Sequence, residues 1–241
     1  MDWTPRSLVL TCEHAVATIP ARYAGLFEGA ERILASHRGY DRGALELARV
    51  LARRSRTPLI AGRASRLLVD LNRSESHPDC FSSYTKALPP HERERILEAY
   101  HRPHRDRVRE SIARAARRAP VLHVGVHSFT PVRSGQPRSA DVGLLYDPRR
   151  DPERALAAAW KRALREARPT LRVRSNYPYR GTADGLTTTL RRELAPEVYL
   201  GLELEVSQRF WRRPSALTRD LVRQIAQTLL ALCETPRAPL R

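Results

Sequence analysis

Residues 7–15 read SLVLTCEHA. Three apolar residues, Leu8, Val9 and Leu10, run into a carboxylate and an imidazole, Glu13 and His14. A short apolar run bounded by polar residues is the pattern of a buried strand. In open α/β sheets, ligands bind just beyond the carboxyl ends of the strands, and Glu13 and His14 stand at such an end. The pattern recurs. RLLVDLN at 66–72 ends in Asp70, Asn72 and then Arg73; VLHVGVH at 121–127 ends in His127 and Ser128; YLGLELEV at 199–206 carries Glu205 near its end.

Between these runs the hydrophobic period changes to that of helices. Asp41 opens DRGALELARVLARR, where Leu45, Ala48, Leu51 and Ala52 form an apolar stripe and Asp41 suits an N-cap. Further helices are expected at 90–118, with an interruption at Pro103, and at 152–167, 187–194 and 214–234, the last burying Leu217, Leu221, Ile225, Thr228, Leu229 and Leu232. Shorter strands are expected at 58–61, 142–146 and 171–175. Residues 74–90 and 128–139 read as loops, the second a natural site for a mobile lid, and 235–241 as a frayed tail. Strands alternating with helices predict an α/β fold: one domain over residues 1–241, with a mainly parallel twisted sheet and helices on both faces.

The 241 residues, 41% of them hydrophobic, suffice for one substantial core. A formal net charge of +17 invites nucleic acid, an anionic membrane or an acidic ligand as partner. Lys86 and Lys161 are the only lysines, and the arginines are spread along the helices, as on a solvated surface. No nucleic-acid motif is present and aromatic residues make up 6%, few for base stacking. Nucleic acid is therefore not the expected partner, whereas a small anionic substrate suits the charge. Cys12, Cys80 and Cys233 form no CxxC pair, which argues against a disulfide framework or a cysteine zinc site and for a reducing, cytoplasmic compartment. No segment is long and apolar enough to span a membrane, and the first apolar run is too short for a signal-peptide core.

His14, Asp41 and His127 lie at strand ends or at a helix start that follows a strand. Two imidazoles and a carboxylate are a common ligand set for catalytic zinc, which leaves a position open for water. A separate carboxylate can take that water's proton, and Glu205 is the candidate. Singly, each residue has a plain structural explanation: a hydrogen-bonded histidine, a helix cap, an ion-pair partner for Arg73, a solvent-facing glutamate. Jointly, their recurrence at corresponding ends of successive strands points to a metal-dependent hydrolase. Glu13 is a rival to Asp41 as the carboxylate ligand, although adjacent side chains seldom converge on one ion.

Eight short motifs extend this reading. They are TCEHA at 11–15 with Ile19 and Pro20, HRGYDRGALELA at 37–48, DLNRS at 70–74, YHRPH at 100–104, GVHSFTP at 125–131, DVGLLYDP at 141–148, NYPYRG at 176–181 and LELEVSQ at 202–208. Through these motifs, in one order over nearly its whole length, the chain resembles the N-formylglutamate amidohydrolases. The resemblance implies an architecture like that of zinc carboxypeptidases and cell-wall amidases. It also implies His14, Asp41 and His127 as ligands of one zinc ion, Glu205 as catalytic base, and hydrolysis of a formamide to formate and glutamate. The glutamyl carboxylates then need fixed cations, and the planar fork of arginine suits them. Arg73 is the first choice, then Arg191 or Arg192, with Asn72, Tyr177 and Tyr179 adding hydrogen bonds. Alternatives of other kinds are a peptidase or cell-wall amidase of the same fold and, further off, a basic nucleic-acid-binding protein. Manganese, iron or cobalt could stand in for zinc in such a site.

Overall fold

The structure, a computed structural model, describes residues 7–212 and 215–234. Its strands are β1 (Ser7–Cys12), β2 (Leu59–Ala61), β3 (Val121–Phe129), β4 (Val132–Arg133), β5 (Gln136–Pro137), β6 (Val142–Leu145), β7 (Val173–Ser175) and β8 (Tyr199–Ser207). Its α-helices are α1 (Glu31–Leu34), α2 (Ala44–Ser55), α3 (Pro90–Ile96), α4 (Arg102–Ala116), α5 (Asp151–Ala167), α6 (Leu186–Glu193) and α7 (Ala216–Glu234). Six strands form one sheet in the order β2-β1-β3-β8-β6-β7, and β4 with β5 make a separate hairpin. β2, β1, β3 and β8 run parallel. β6 is antiparallel to β8 and parallel to β7, so the sheet is mostly parallel, as expected.

Strand side chains alternate between faces, and the two faces differ in chemistry. Leu10 and Cys12, Leu122, Val124 and Val126, and Leu200, Leu202, Leu204 and Val206 point into the main core, with buried side chains of α2, α5 and α7. The opposite face packs Val9, Val121 and Tyr199 against Val108 and Ile112 of α4 and Leu186 and Leu190 of α6. On that second face the strands turn polar towards their carboxyl ends: Thr11 and Glu13 after Val9, His123 and His127 along β3, Glu203 and Glu205 along β8. The parallel register sets His127 level with Glu205 and Thr11 level with Gly125.

Local deviations follow from specific contacts. Asp41 does not cap a helix. α2 begins at Ala44, its N-cap is Gly43 at φ +82°, and the Trp211 indole occupies the space a Cβ there would need. Residues 66–72 form turns rather than a strand. Leu67, Leu68 and Val69 are buried in a second, smaller core with Tyr23, Phe27, Cys80 and Ile96. Their backbone bonds to loops: Arg66 N–H donates to the Gly39 carbonyl and Asp70 N–H to that of Cys80, while the Thr85 hydroxyl donates to the Leu68 carbonyl. An apolar run alone cannot distinguish a strand from such a buried coil. The expected interruption near Pro103 is a π-helical turn, Leu97–His101, that joins α3 to α4. The 128–139 segment carries the β4–β5 hairpin, whose two turn residues, Ser134 and Gly135, both have positive φ, as a type I′ turn requires. In α7, Leu217 is exposed while Leu221, Ile225 and Leu229 are buried. The start of that helix at 214 and the tail at 235–241 lie outside the described residues.

Candidate metal centre

The carboxyl ends of β1, β3 and β8 open onto a cleft of about 190 Å³, lined among others by His14, Asp41, Asp70, Asn72, Arg73, His127, Tyr179, Arg180, Glu203 and Glu205. His14, Asp41 and His127 are all buried, and one ligand atom of each lies within 4.8 Å of the others. Asp41 Oδ2 is 3.4 Å from His14 Nδ1 and 3.2 Å from His127 Nδ1, and it accepts the Ser128 backbone N–H at 3.3 Å. The Asp41 backbone N–H donates to the His14 carbonyl, which ties the loop carrying the carboxylate to the end of β1.

Both imidazoles present Nδ1 to the shared centre and Nε2 to a further carboxylate. His14 Nε2 is 2.7 Å from Asp70 Oδ1; His127 Nε2 is 3.2 Å from Glu13 Oε2. Carboxylates in this position fix the proton on Nε2 and leave the Nδ1 lone pair for an ion. Glu13, the rival to Asp41, thus faces the far nitrogen of His127, away from the point where the two Nδ1 atoms meet.

Charge also fits a dication. Arg66 spans Asp70 Oδ2 at 2.8 Å and Asp41 Oδ1 at 3.4 Å. Without an ion, the imidazoles answer the surrounding carboxylates: burial opposes it, but Asp70 and Asp41 raise the pKa of His14, and Asp41 and Glu13 raise that of His127 well above its usual value, a positive charge that a bound dication would replace. Burial pushes the Asp41 and Asp70 carboxyls up, but the imidazoles and Arg66 outweigh it and hold both well below the usual carboxylate range. Glu205 differs. It is 5% exposed, its Oε2 has no hydrogen-bond partner among the described residues, and its carboxyl is pushed up to about 8. Burial is the main cause; His127 opposes it, while Asp41 and Glu203 add to it.

The residues expected to hold substrate divide. Arg73 lines the cleft, with Nη1 donating to the Asp184 carbonyl at 2.6 Å. Asn72 lines it too, its Oδ1 accepting the Leu186 N–H at 2.8 Å. Tyr179 lies on the rim, its ring stacked on the Arg138 guanidinium. Tyr177 stands outside the lining, its hydroxyl accepting the Ser139 N–H. Arg191 is placed elsewhere altogether. It is buried, with Nε 3.0 Å from both Glu153 oxygens, Nη1 on the Gly181 carbonyl and Nη2 on the Gly201 carbonyl, and it is not part of the cleft lining. Arg192 is exposed on α6, outside the lining. Arg66, Arg180, His37 and Glu203 line the cleft without having been singled out. Arg66 and Arg180 are lost in an arginine-rich sequence, whereas Glu203, two residues before Glu205 in LELE, carried a usable signal.

Comparisons with known proteins bear on the family and the fold. A family model, N-formylglutamate amidohydrolase, matches residues 6–211. The crystal structure of gene product Atu2144 from Agrobacterium tumefaciens superposes with a TM-score of 0.77 at 33% identity, over 95% of this chain and 92% of that one. N-acetylmuramoyl-L-alanine amidase AmiC2 of Nostoc punctiforme aligns over 96% of this chain and 99% of its own, with a TM-score of 0.43 and 13% identity. No curated protein sequence gives a significant match.

Proposed function

Since the chain belongs to the N-formylglutamate amidohydrolase family, a family of hydrolases acting on C–N amide bonds, we propose that it cleaves the amide of an N-formyl amino acid, N-formyl-L-glutamate foremost. Water is consumed, and formate and the free amino acid leave. The observation that carries this reading is the convergence of His14, Asp41 and His127 beside Glu205, which is level with His127 in the sheet.

The three side chains would hold one divalent ion, with zinc the first expectation for two imidazoles and a carboxylate. Such an ion supplies Lewis-acid polarisation of the amide carbonyl, a lowered pKa for water, and a positive charge that draws Glu205 towards its ionised form. Glu205 would take a proton from the attacking water at its unpartnered Oε2. It would return that proton to the amine nitrogen as the C–N bond breaks. Asp70 and Glu13 would orient the two imidazoles and raise their basicity as ligands. In the cleft lining, Arg73 has donors free beyond its bond to Asp184, and the Arg180 guanidinium makes no hydrogen bond among the described residues. These two would hold the substrate carboxylates bidentately, with Asn72 Nδ2 and the Tyr179 hydroxyl completing the contacts. No helix among the described residues is long and apolar enough to cross a membrane, and a cytoplasmic setting remains the expectation from cysteine usage.

The test is metal content by elemental analysis together with formate release from N-formyl-L-glutamate. The expected result is about one zinc per chain, lost in His14→Ala and His127→Ala along with activity. Wild-type protein that neither contains nor takes up a divalent ion removes this mechanism.

A further inference from the structure

The motif YHRPH, residues 100–104, has no part in the chemistry above, yet the fold brings it against the back of the metal centre. The π-helical turn Leu97–His101 leads into α4, and α4 packs on the sheet face that carries Glu13 and His127. A π turn shifts the register of the side chains that follow it. Here His101 and His104 are both turned inward, at 1% and 4% exposure.

His104 Nε2 lies 3.6 Å from Glu13 Oε1. The other oxygen, Glu13 Oε2, lies 3.2 Å from His127 Nε2. Glu13 is itself 2% exposed. Glu13 Oε1, His104 Nε2 and His127 Nε2 have no hydrogen-bond partner among the described residues, so the row is held by ion-pair contacts alone. Gly125 of β3 borders this row. Gly125 is level with Thr11, and a Cβ there would stand 3.4 Å from His127 Nε2 and 3.6 Å from Thr11 Oγ1. Burying a carboxylate is unfavourable unless it is paired. Glu13 is an adverse choice for a purely structural position at the end of a buried strand, and both its oxygens are directed at imidazoles.

We propose that Glu13 and His104 are positioning residues for His127. Glu13 Oε2, facing His127 Nε2, favours the proton on that nitrogen and holds the ring so that Nδ1 faces the ion. His104 occupies the second carboxylate oxygen and keeps Glu13 turned towards His127. On His14 the same task falls to Asp70, held by Arg66. The inference rests on the reading of His14, Asp41 and His127 as the metal ligands. Outer carboxylates of this type are typically worth 10–100-fold in metal affinity.

The experiment measures the zinc dissociation constant of the purified full-length chain by competition with a chromogenic chelator. The melting temperature of the metal-free protein and the visible spectrum of the cobalt-loaded protein are recorded alongside. The variants are Glu13→Ala, Glu13→Gln and His104→Ala. His101→Asn serves as control, because His101 Nε2 bonds only the Arg73 carbonyl, at 2.8 Å, from the same turn. Glu13→Ala should weaken zinc binding by about 10–100-fold and change the cobalt spectrum. Glu13→Gln should recover part of the loss, since its amide oxygen still accepts from Nε2. His104→Ala should weaken binding less than Glu13→Ala, and His101→Asn should lower the melting temperature without changing zinc affinity. Should Glu13→Ala fail to fold, Glu13→Gln and His104→Ala decide. Wild-type zinc affinity in Glu13→Ala, or in both of the other two, overturns the proposal. A wild-type chain that takes up no zinc overturns the metal reading beneath it.

Discussion

At the scale of single residues, the buried ionisable groups divide by environment. Burial pushes the Glu205 carboxyl up to about 8, while Asp41 and Asp70 are held down. Two populations of carboxyl group in one cleft is the arrangement by which an acid–base residue is separated from the groups that bind. Glu205→Gln should therefore keep its zinc and lose about 10²–10⁴-fold in kcat, measured by formate release on metal-loaded protein. Equal loss of zinc and activity would make Glu205 a ligand instead. His123 offers a test away from the cleft. It is fully buried, its Nε2 2.9 Å from Thr11 Oγ1 and its Nδ1 2.7 Å from the Tyr199 hydroxyl, and burial lowers its pKa to about 4. Unfolded, it would titrate near 6.5. Above that value both states are neutral and stability is indifferent to this residue. As pH falls from about 6.5 to 4, the unfolded chain takes a proton that the folded one refuses, so unfolding becomes easier by about 3 kcal/mol in total. Urea unfolding across that range should be steeper in pH for the wild type than for His123→Gln. Parallel curves would show that His123 does not titrate as stated.

Elements were read from the sequence in proportion to how far their periodicity decided their partners. Strands 8–11, 121–127 and 199–206 and the helix at 152–167 match β1, β3, β8 and α5 within two residues at each end, because a period of two or 3.6 states which face is buried. His14, His127 and Glu205 drew attention as polar residues where apolar runs stop, and Asp41 as a helix cap, a task it does not perform. The 66–72 run misled because its apolar residues are buried by loops whose course no local pattern records. The Arg66–Asp70–His14 chain was hidden with it, and so was His104. Each depends on segments more than 25 positions apart meeting at one point. Arg191 failed differently: its motif neighbourhood suggested substrate, but α6 uses it to reach Glu153 of α5 and two backbone carbonyls. That pair is almost wholly buried. Arg191→Met leaves the buried Glu153 carboxylate only the Asp147 and Gly201 backbone N–H groups and the more distant Arg150, at 3.8 Å, and should cost on the order of 3 kcal/mol, read as a fall in the denaturation midpoint. A midpoint unchanged in Arg191→Met, combined with a raised KM, would restore Arg191 to the substrate.

For the whole molecule, the question is why a chain with a net charge of +17 carries a cleft so rich in carboxylates. Inside the cleft, Asp41, Asp70, Asp184, Glu203 and Glu205 share the lining with Arg66, Arg73 and Arg180, and most of these groups are engaged with one another or with backbone. The excess positive charge therefore lies outside, over helices such as α5, whose arginines Arg154, Arg162 and Arg165 are all exposed. A field of that kind does not alter the bonds made in the cleft, but it raises the local concentration of an anion approaching its mouth. At physiological salt the screening length is about 8 Å, so the surface arginines act on encounter and are silenced by further salt, while Arg73 within the cleft is shielded from it. For a dianionic substrate such as N-formyl-L-glutamate, kcat/KM should fall as ionic strength rises, with kcat unchanged. An uncharged N-formyl amino-acid amide should show no such fall. Steady-state kinetics on the two substrates across a sodium chloride series makes the comparison. Equal salt response for both would mean that the basic surface does not serve substrate capture, and the charge would then need a separate, polyanionic partner to explain it.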